Sequence, residues 1–456
     1  MEKNSNSQNL GTGSIPKLLA KLAIPAVVAQ IINLLYNIVD RIYIGHIPDV
    51  GASALTGVGL FMPILMLINA FAMMAGAGGA PLAAIAMGKQ DKDKAEKILG
   101  NCFSLLVIFA VILTVIFYIA APDLLRLFGA SDVTLPYAVD YARIYIIGGI
   151  FVNIVMGMNP FITTQGFAKI SMLTTVIGAV LNIILDPIFI FAFDMGVKGA
   201  ALATILSQAV GAMWIIRFLT GNQTNLKLKK ENLRLNPKIF LPCLGLGIST
   251  FVMLSTESLL SMSFTSSLSK FGGDIAVGSM TIITSVSMLL TMPLQGICQG
   301  AQPIMSYNFG AGNTDRVKKT FFLELGVCMT YAIGFWAVSM FMPQVFAGIF
   351  SNDTALVEYA SWALRIYMAG MFAMGAQNTC QQSFMALGQA KMSLFLACLR
   401  KIILLIPLIF ILPNFFENKV FAVFLAEPIS DIVAASVTTI AFLSQFNRIL
   451  NKGKND

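Results

Sequence analysis

The chain has 456 residues, 57% hydrophobic and only 11% charged, with a net charge of +8 and a mean hydropathy of +0.79. Soluble domains carry about 25% charged residues, so a soluble fold is excluded. A nucleic-acid-binding surface is excluded too, because the basic residues are scattered over short connections and two tails and form no continuous patch.

The opening stretch MEKNSNSQNLGTGSIPKLLA is polar and lacks the short apolar core and cleavage site of a signal peptide. The first helix is therefore expected to stay in the mature protein. Apolar runs follow at 18–46, 53–86, 98–121, 135–162, 170–193, 199–220, 239–268, 275–306, 320–348, 356–386, 392–413 and 419–447. Each is long enough to cross a hydrocarbon core of about 30 Å. Runs this continuous are helices rather than the alternating strands of a membrane barrel. The expected fold class is an all-α integral membrane protein with twelve transmembrane helices, whose partner on every side is the lipid bilayer.

Lys and Arg concentrate in alternate connections: 88–97, Lys169, 225–238, 312–319 and Lys391, together with both basic termini. The other connections hold only Arg126, Lys198, Lys270 and Lys419. Positively charged loops stay on the cytoplasmic side, so both termini are expected there, in a multi-pass protein of the cytoplasmic membrane.

The two halves repeat each other. GKQDKDKAEK from Gly88 matches GAGNTDRVKK from Gly310, ARIYIIGG from Ala142 matches LRIYMAGM from Leu364, and GFAKIS from Gly166 matches GQAKMS from Gly388, all at an offset of 222 residues. Six helices per copy put both copies the same way up. They form two lobes related by a pseudo-two-fold axis along the membrane normal. The boundaries expected are 1–221 for the first lobe, 222–238 for a cytoplasmic linker and 239–456 for the second lobe.

Duplication separates shared scaffold from features of one half. Arg143 and Arg365 match each other and read as structural. Asp40 and Asp186 have uncharged counterparts, in SLLSMSFT and ILLIPLIFIL. In the first run Gln30, Asn33, Asn37 and Asp40 follow helical spacing and share one face. Asn182 and Asp186 sit one turn apart in the fifth run, and Thr204 in the sixth falls at a similar depth. An aspartate in the middle of a membrane helix costs about 3 kcal/mol unless it has a partner or a proton. Two carboxylates, an amide and a hydroxyl in one pocket would exchange a proton near neutral pH or bind a small cation through oxygen. Pairing of Asp40 with a nearby base is the bland alternative, although Arg41 points about 100° away around the helix. Pro25 is expected to kink the first helix and supply a hinge.

The six cysteines lie in or beside apolar runs without paired spacing and read as small hydrophobes. The lone His46 makes no metal site, and no metal or cofactor is expected beyond a proton or a small cation at Asp40, Asn182, Asp186 and Thr204.

AIPAVVAQIINLLYNIVDRIYIG, LNIILDPIFIF and MPLQGICQGAQPIMSYNFGAGN together resemble multidrug and toxic compound extrusion (MATE) transporters of the bacterial MepA-like and DinF-like kind, and the likeness runs through all twelve helices. The resemblance implies export of cationic, amphipathic compounds against inward H+ or Na+, by alternating access of two six-helix lobes. It also implies a cation site in the first lobe, built from Asp40, Asn182, Asp186 and Thr204. Glu257, in the seventh run, departs from that pattern and is a further ion or substrate contact in the cavity, or a group paired with a base. Gln30, Asn33, Asn37 and Glu427 are the other cavity candidates, and Arg400 and Asp431 are expected to form a structural pair. Small cationic drugs or metabolites are the expected cargo, and a monomer the expected state. A lipid-linked precursor flippase, or an exporter of an endogenous metabolite, is the alternative reading, but a flippase for a pyrophosphate would need a basic cavity. An intramembrane enzyme lacks the nucleophile and base it would need, and no phosphate-binding loop is present to bind ATP.

Overall fold

The computed structural model describes residues 10–350 and 353–455. Backbone groups in lipid must bond within their own segment, and the described residues accordingly form helices joined by short turns. Helix α1 spans Ile15–Gly45, α2 Gly51–Gly88 and α3 Lys92–Leu127. Helix α4 runs as Leu135–Ile147 and, after a 56° bend, as Gly149–Thr164. Helix α5 is Ala168–Pro187, extended by a wide turn at Ile188–Ala192, and α6 is Gly196–Thr220.

The continuous stretch Pro237–Gly310 holds two crossings, α7 (237–272) and α8 (274–310). Gly273, with φ 63° and ψ −160°, makes the reversal without a loop. Ser249 and Ser306, near the two ends of this stretch, bond Ser393 and the Ala386 carbonyl respectively, which fixes the hairpin. Helix α9 is Thr314–Phe341, followed by a short helix Pro343–Phe350. The expected ninth run to 348 therefore breaks at Met342. Helix α10 spans 354–386 through a tight turn at Met368–Ala373, α11 is Ala390–Cys398 continued through the wide turn Leu399–Leu405 to Ile411, and α12 is Lys419–Asn455.

Among the described residues these make twelve crossings. Nine helices are individually long and apolar enough to span. The bent α4 pair, the second arm of the hairpin and the interrupted α10 supply the others. The protein is a multi-pass membrane protein, and outward faces such as Val115, Ile116 and Ile119 of α3 are apolar and exposed.

All the strongly basic connections meet at one end of the bundle. Gln90 reaches the Tyr307 hydroxyl at 3.3 Å, and Arg316 bonds the carbonyls of Leu10 (3.1 Å) and Gly13 (2.7 Å). Gln165, following α4, accepts from Thr224 and from the Asn225 and Leu226 amides at 2.8–2.9 Å. Residues 224–236 are thereby laid over the ends of α3 and α4. There the buried Glu96 takes the Lys229 ammonium at 2.6 Å, and Asn101 takes the Asn236 amide at 2.7 Å.

At this basic end the two halves touch through glycines, and the contacts repeat under the 222-residue offset. A Cβ on Gly88 would fall 2.0 Å from the Tyr307 carbonyl oxygen, and one on Gly310 would fall 2.1 Å from that of Ile85. Gly88 matches Gly310, and Ile85 matches Tyr307, so each half meets the other through the same two positions. Gly78 packs on Cys243 and Gly247 of α7, while its counterpart Gly300 packs on Ala23 of α1. Isologous contact of this kind is what a two-fold axis produces. Toward the middle of the membrane, Phe71 meets Phe251 at 4.9 Å and Ser258 meets Met66 at 3.3 Å, both through side chains.

Candidate functional site

Asp40 lies five residues before the end of α1 and is 8% exposed, although its helix presents Ile38, Arg41 and Ile42 outward. It is buried because α1 packs along α5, which brings in Asn182 and Asp186 at 1% and 0% exposure. Their spacing of four puts both on one face of α5. Asn182 Nδ2 donates to Asp186 Oδ1 and to Thr204 Oγ1, each at 3.3 Å. The Asp40 carboxyl lies within hydrogen-bonding reach of the Asp186 carboxyl. The four residues expected to converge therefore share one buried pocket between α1, α5 and α6.

Three tyrosines that sequence reading passed over complete its wall. Tyr36 is one turn before Asp40, and Tyr141 and Tyr145 come from α4, 4% and 5% exposed. Tyr36 and Tyr141 reach Thr204, and Tyr145 faces Asp40. Phe61 holds Tyr141 and Tyr145 from behind at 5.7 and 5.4 Å, and the two tyrosine rings stack 6.0 Å apart.

Several of the pocket's oxygens lack partners. Asp40 Oδ1, Asn182 Oδ1 and Asp186 Oδ2 are buried without a hydrogen-bond donor, while the base nearest in sequence, Arg41, is exposed. Buried acceptors are ordinarily satisfied. A cluster of unsatisfied hard oxygens with no base among them suits a proton or a small hard cation.

The rest of the α1 stripe does not enter this pocket. Gln30, 15 Å of helix below Asp40 at about 1.5 Å per residue, donates to Gln299 of α8 at 3.4 Å, so its partner is in the other half. Asn37 is exposed and donates to the Asn33 carbonyl of its own helix at 2.6 Å. Asn33 is half-buried. A ten-residue stripe spans too much depth to serve one site. Pro25 is buried inside α1, beside the α8 contact at Val27 and Gly296.

The second half carries a separate charged cluster. Arg400 Nε donates to Asp431 Oδ1 at 2.8 Å, and its Nη2 donates to Glu427 Oε1 at 3.0 Å. The adjacent Lys401 turns to α7, where it bonds Glu257 and the Met253 carbonyl, the latter at 2.8 Å. Glu257 is thus paired with a base. Neighbours on a helix diverge by about 100°, which sends Arg400 to α12 and Lys401 to α7. Arg143 lies over the Tyr118 ring at 5.5 Å, and Arg365 Nε donates to the Met340 carbonyl at 3.3 Å, so both brace the scaffold.

The model of the MatE family matches residues 25–188 and 249–411, one segment in each half. The multidrug export protein MepA of Staphylococcus aureus (strain N315) is 26% identical over 432 residues, covering 92% of each chain. MepA of Staphylococcus saprophyticus is 26% identical over 429 residues, covering 92% of this chain and 93% of its own. Among solved structures, a MATE in the bent conformation superposes with a TM-score of 0.92 at 24% identity over 99% of both chains. An outward-facing multidrug resistance MATE family transporter of the MOP superfamily superposes at 0.91 with 24% identity, over 98% of this chain and 99% of its own. These superpositions bear out the twelve-helix, two-lobe fold.

Proposed function

The chain belongs to the MatE family of membrane transporters, and on that premise we propose that it is a secondary active exporter of cationic or amphipathic small molecules, driven by inward H+ or Na+. It is a transporter and not an enzyme. The observation that carries the coupling assignment is the base-free pocket of Asp40, Asn182, Asp186 and Thr204, with three unpartnered oxygens. Two carboxyl groups in contact repel when both are ionised, and one proton or one small cation relieves the repulsion. A pocket that must hold one positive charge to be stable changes energy when that charge leaves, which is what coupling requires.

The cargo class rests on the names of the MepA relatives and on the absence of a basic cavity inside the membrane among the described residues. The buried bases Arg400 and Lys401 are both already paired with carboxylates, which disfavours an anionic pyrophosphate cargo. The glycine contacts describe a bundle closed at its basic end. Taking that end as cytoplasmic, this conformation is closed to the cytoplasm, and transport proceeds by rocking of 1–221 against 239–456 about the linker 222–238. Pro25, beside the contact of α1 with α8, is placed to bend α1 as the pocket gains or loses its charge.

The test is dye efflux from a host lacking its own pumps and expressing wild type, Asp40→Asn or Asp186→Asn. Collapsing the proton and sodium gradients one at a time identifies the ion. Wild-type efflux should fall with one gradient only, and both variants should stay at background. Full efflux by either variant would refute the coupling site.

A further inference from the structure

At the basic end, the segment that leads into α1 lies over the second half just as the segment that leads into α7 lies over the first. Under the 222-residue offset residues 12–16 match 234–238, and Lys94, Glu96, Lys97 and Asn101 of α3 match Arg316, Lys318, Lys319 and Leu323 of α9. The first-half seat is closed from within. Asn101 takes the Asn236 amide, the buried Glu96 takes Lys229, and Lys97 pairs with Asp93. In the second half a base stands in place of Glu96 and an apolar residue in place of Asn101. What is left between the start of α1 and the start of α9 is a surface cleft of about 470 Å³, lined by Gly13, Ser14, Pro16, Arg316, Lys319 and Leu323. Arg316 spends its Nε and Nη2 on neutral acceptors, the Asn308 side chain at 3.0 Å and the Leu10 and Gly13 carbonyls. Neither Arg316 nor Lys319 pairs with a carboxylate among the described residues. Ser14 leaves its hydroxyl out of the α1 cap, whereas the matching Asn236 side chain accepts from the Lys238 amide.

We propose that this cleft seats the phosphate of an anionic phospholipid from the leaflet at the basic end. Charge and position both select that occupant. Two bases without an acid call for an anion, and a phosphate meets a guanidinium through strong charge-assisted bonds. Arg316 Nη1 carries none of the bonds named above and is the donor at hand, with the Lys319 ammonium three residues on. Lys319 is the last residue before the apolar run that begins at 320. Phe322 and Leu323 follow it by three and four residues, and Val327 follows Leu323 by four, so one face of α9 is basic at its start and apolar beyond. Phe322 and Val327 are exposed on that face. A free anion would use only the bases, whereas a lipid uses the bases through its phosphate and the apolar face through its acyl chains. Basic pockets beside membrane helices on the positively charged side hold lipid headgroups in this way. The seated lipid touches the start of α1 and the start of α9 together, and so reinforces the contact that Arg316 makes with Leu10 and Gly13 across the halves.

The test is native mass spectrometry of the purified full-length protein, titrated with phosphatidylglycerol and separately with phosphatidylcholine of the same acyl chains. Phosphatidylglycerol should bind more tightly by at least about fivefold, the worth of one base at a membrane surface. Lys319→Gln should weaken its binding about fivefold, while Lys97→Gln, at the matching position of the first half, should leave it unchanged. Arg316→Gln should weaken it further. Should that variant fail to fold for want of its bonds to Leu10 and Gly13, the comparison of Lys319→Gln with Lys97→Gln decides alone. Equal affinity for the two lipids, or no effect of Lys319→Gln, would overturn the proposal. An equal effect of Lys97→Gln would overturn it too, by showing a diffuse attraction to the whole basic end. Inorganic phosphate at the same concentration should not displace phosphatidylglycerol; displacement would assign the cleft to a free anion and overturn the lipid as its occupant.

Discussion

The α1, α5 and α6 pocket of the first half and the α7, α11 and α12 cluster of the second occupy corresponding helices of one duplicated scaffold, and both are walled by a matching tyrosine, Tyr145 or Tyr367. The first holds two carboxyl groups with an amide and hydroxyls, and no base. The second holds three carboxylates clamped by Arg400 and Lys401. A fixed guanidinium keeps its partners ionised and its helices together, whereas a pocket without a base must borrow its positive charge from outside. One repeat thus holds its acids without a base, and the other pairs its acids with bases of its own.

The strongest way to break this contrast is to neutralise the first pocket. Asp186→Asn should lower gradient-driven efflux to background, a loss of at least about tenfold, within the 5–150-fold range of ordinary coupling energies, while leaving the thermal midpoint of the purified protein unchanged or raised. Arg400→Ala should do the reverse. Removing the base strands Glu427 and Asp431 and should cost about 3–5 kcal/mol of stability, read as a lowered midpoint in a detergent melt. A midpoint equal to wild type would show that the second cluster is no clamp.

Smaller effects sharpen the same comparison. Gly310→Val places a side chain against the Ile85 backbone, so spin labels on α2 and α8 at the basic end should report a longer distance than in wild type; an unchanged distance would mean that this seam is not the closed gate. Thr204→Val removes the hydroxyl that accepts from Asn182, at a cost of about 1 kcal/mol, and should weaken coupling by several-fold without abolishing it. Glu257→Gln removes a half-exposed acid from the buried Lys401, which keeps the Met253 carbonyl, and should cost about 1–3 kcal/mol, read as a smaller fall in melting midpoint than that of Arg400→Ala.

Much of this was readable from residues alone. Hydropathy located the crossings because lipid forces each to be a continuous apolar helix, and the 222-residue repeat located the symmetry that Gly88 and Gly310 display as paired contacts. The convergence of Asp40, Asn182, Asp186 and Thr204 was legible because helical rise converts sequence position into depth. What escaped was lateral geometry. Gln30 pairs across the lobes with Gln299, and Lys401 reaches Glu257 from 144 positions away, neither of which any spacing encodes. Tyr145 was missed for a different reason. Its repeat partner Tyr367 marked it as scaffold, yet a residue shared by both halves can hold the bundle together and also face the site.

The central claim is that the first pocket couples ion movement to transport and is dispensable for moving cargo as such. Proteoliposomes separate the two: gradient-driven dye uptake needs coupling, whereas exchange of labelled for unlabelled dye without a gradient does not. For Asp186→Asn the account predicts exchange close to wild type and no gradient-driven uptake above that of empty liposomes. Gradient-driven uptake at the wild-type rate in that variant would contradict it.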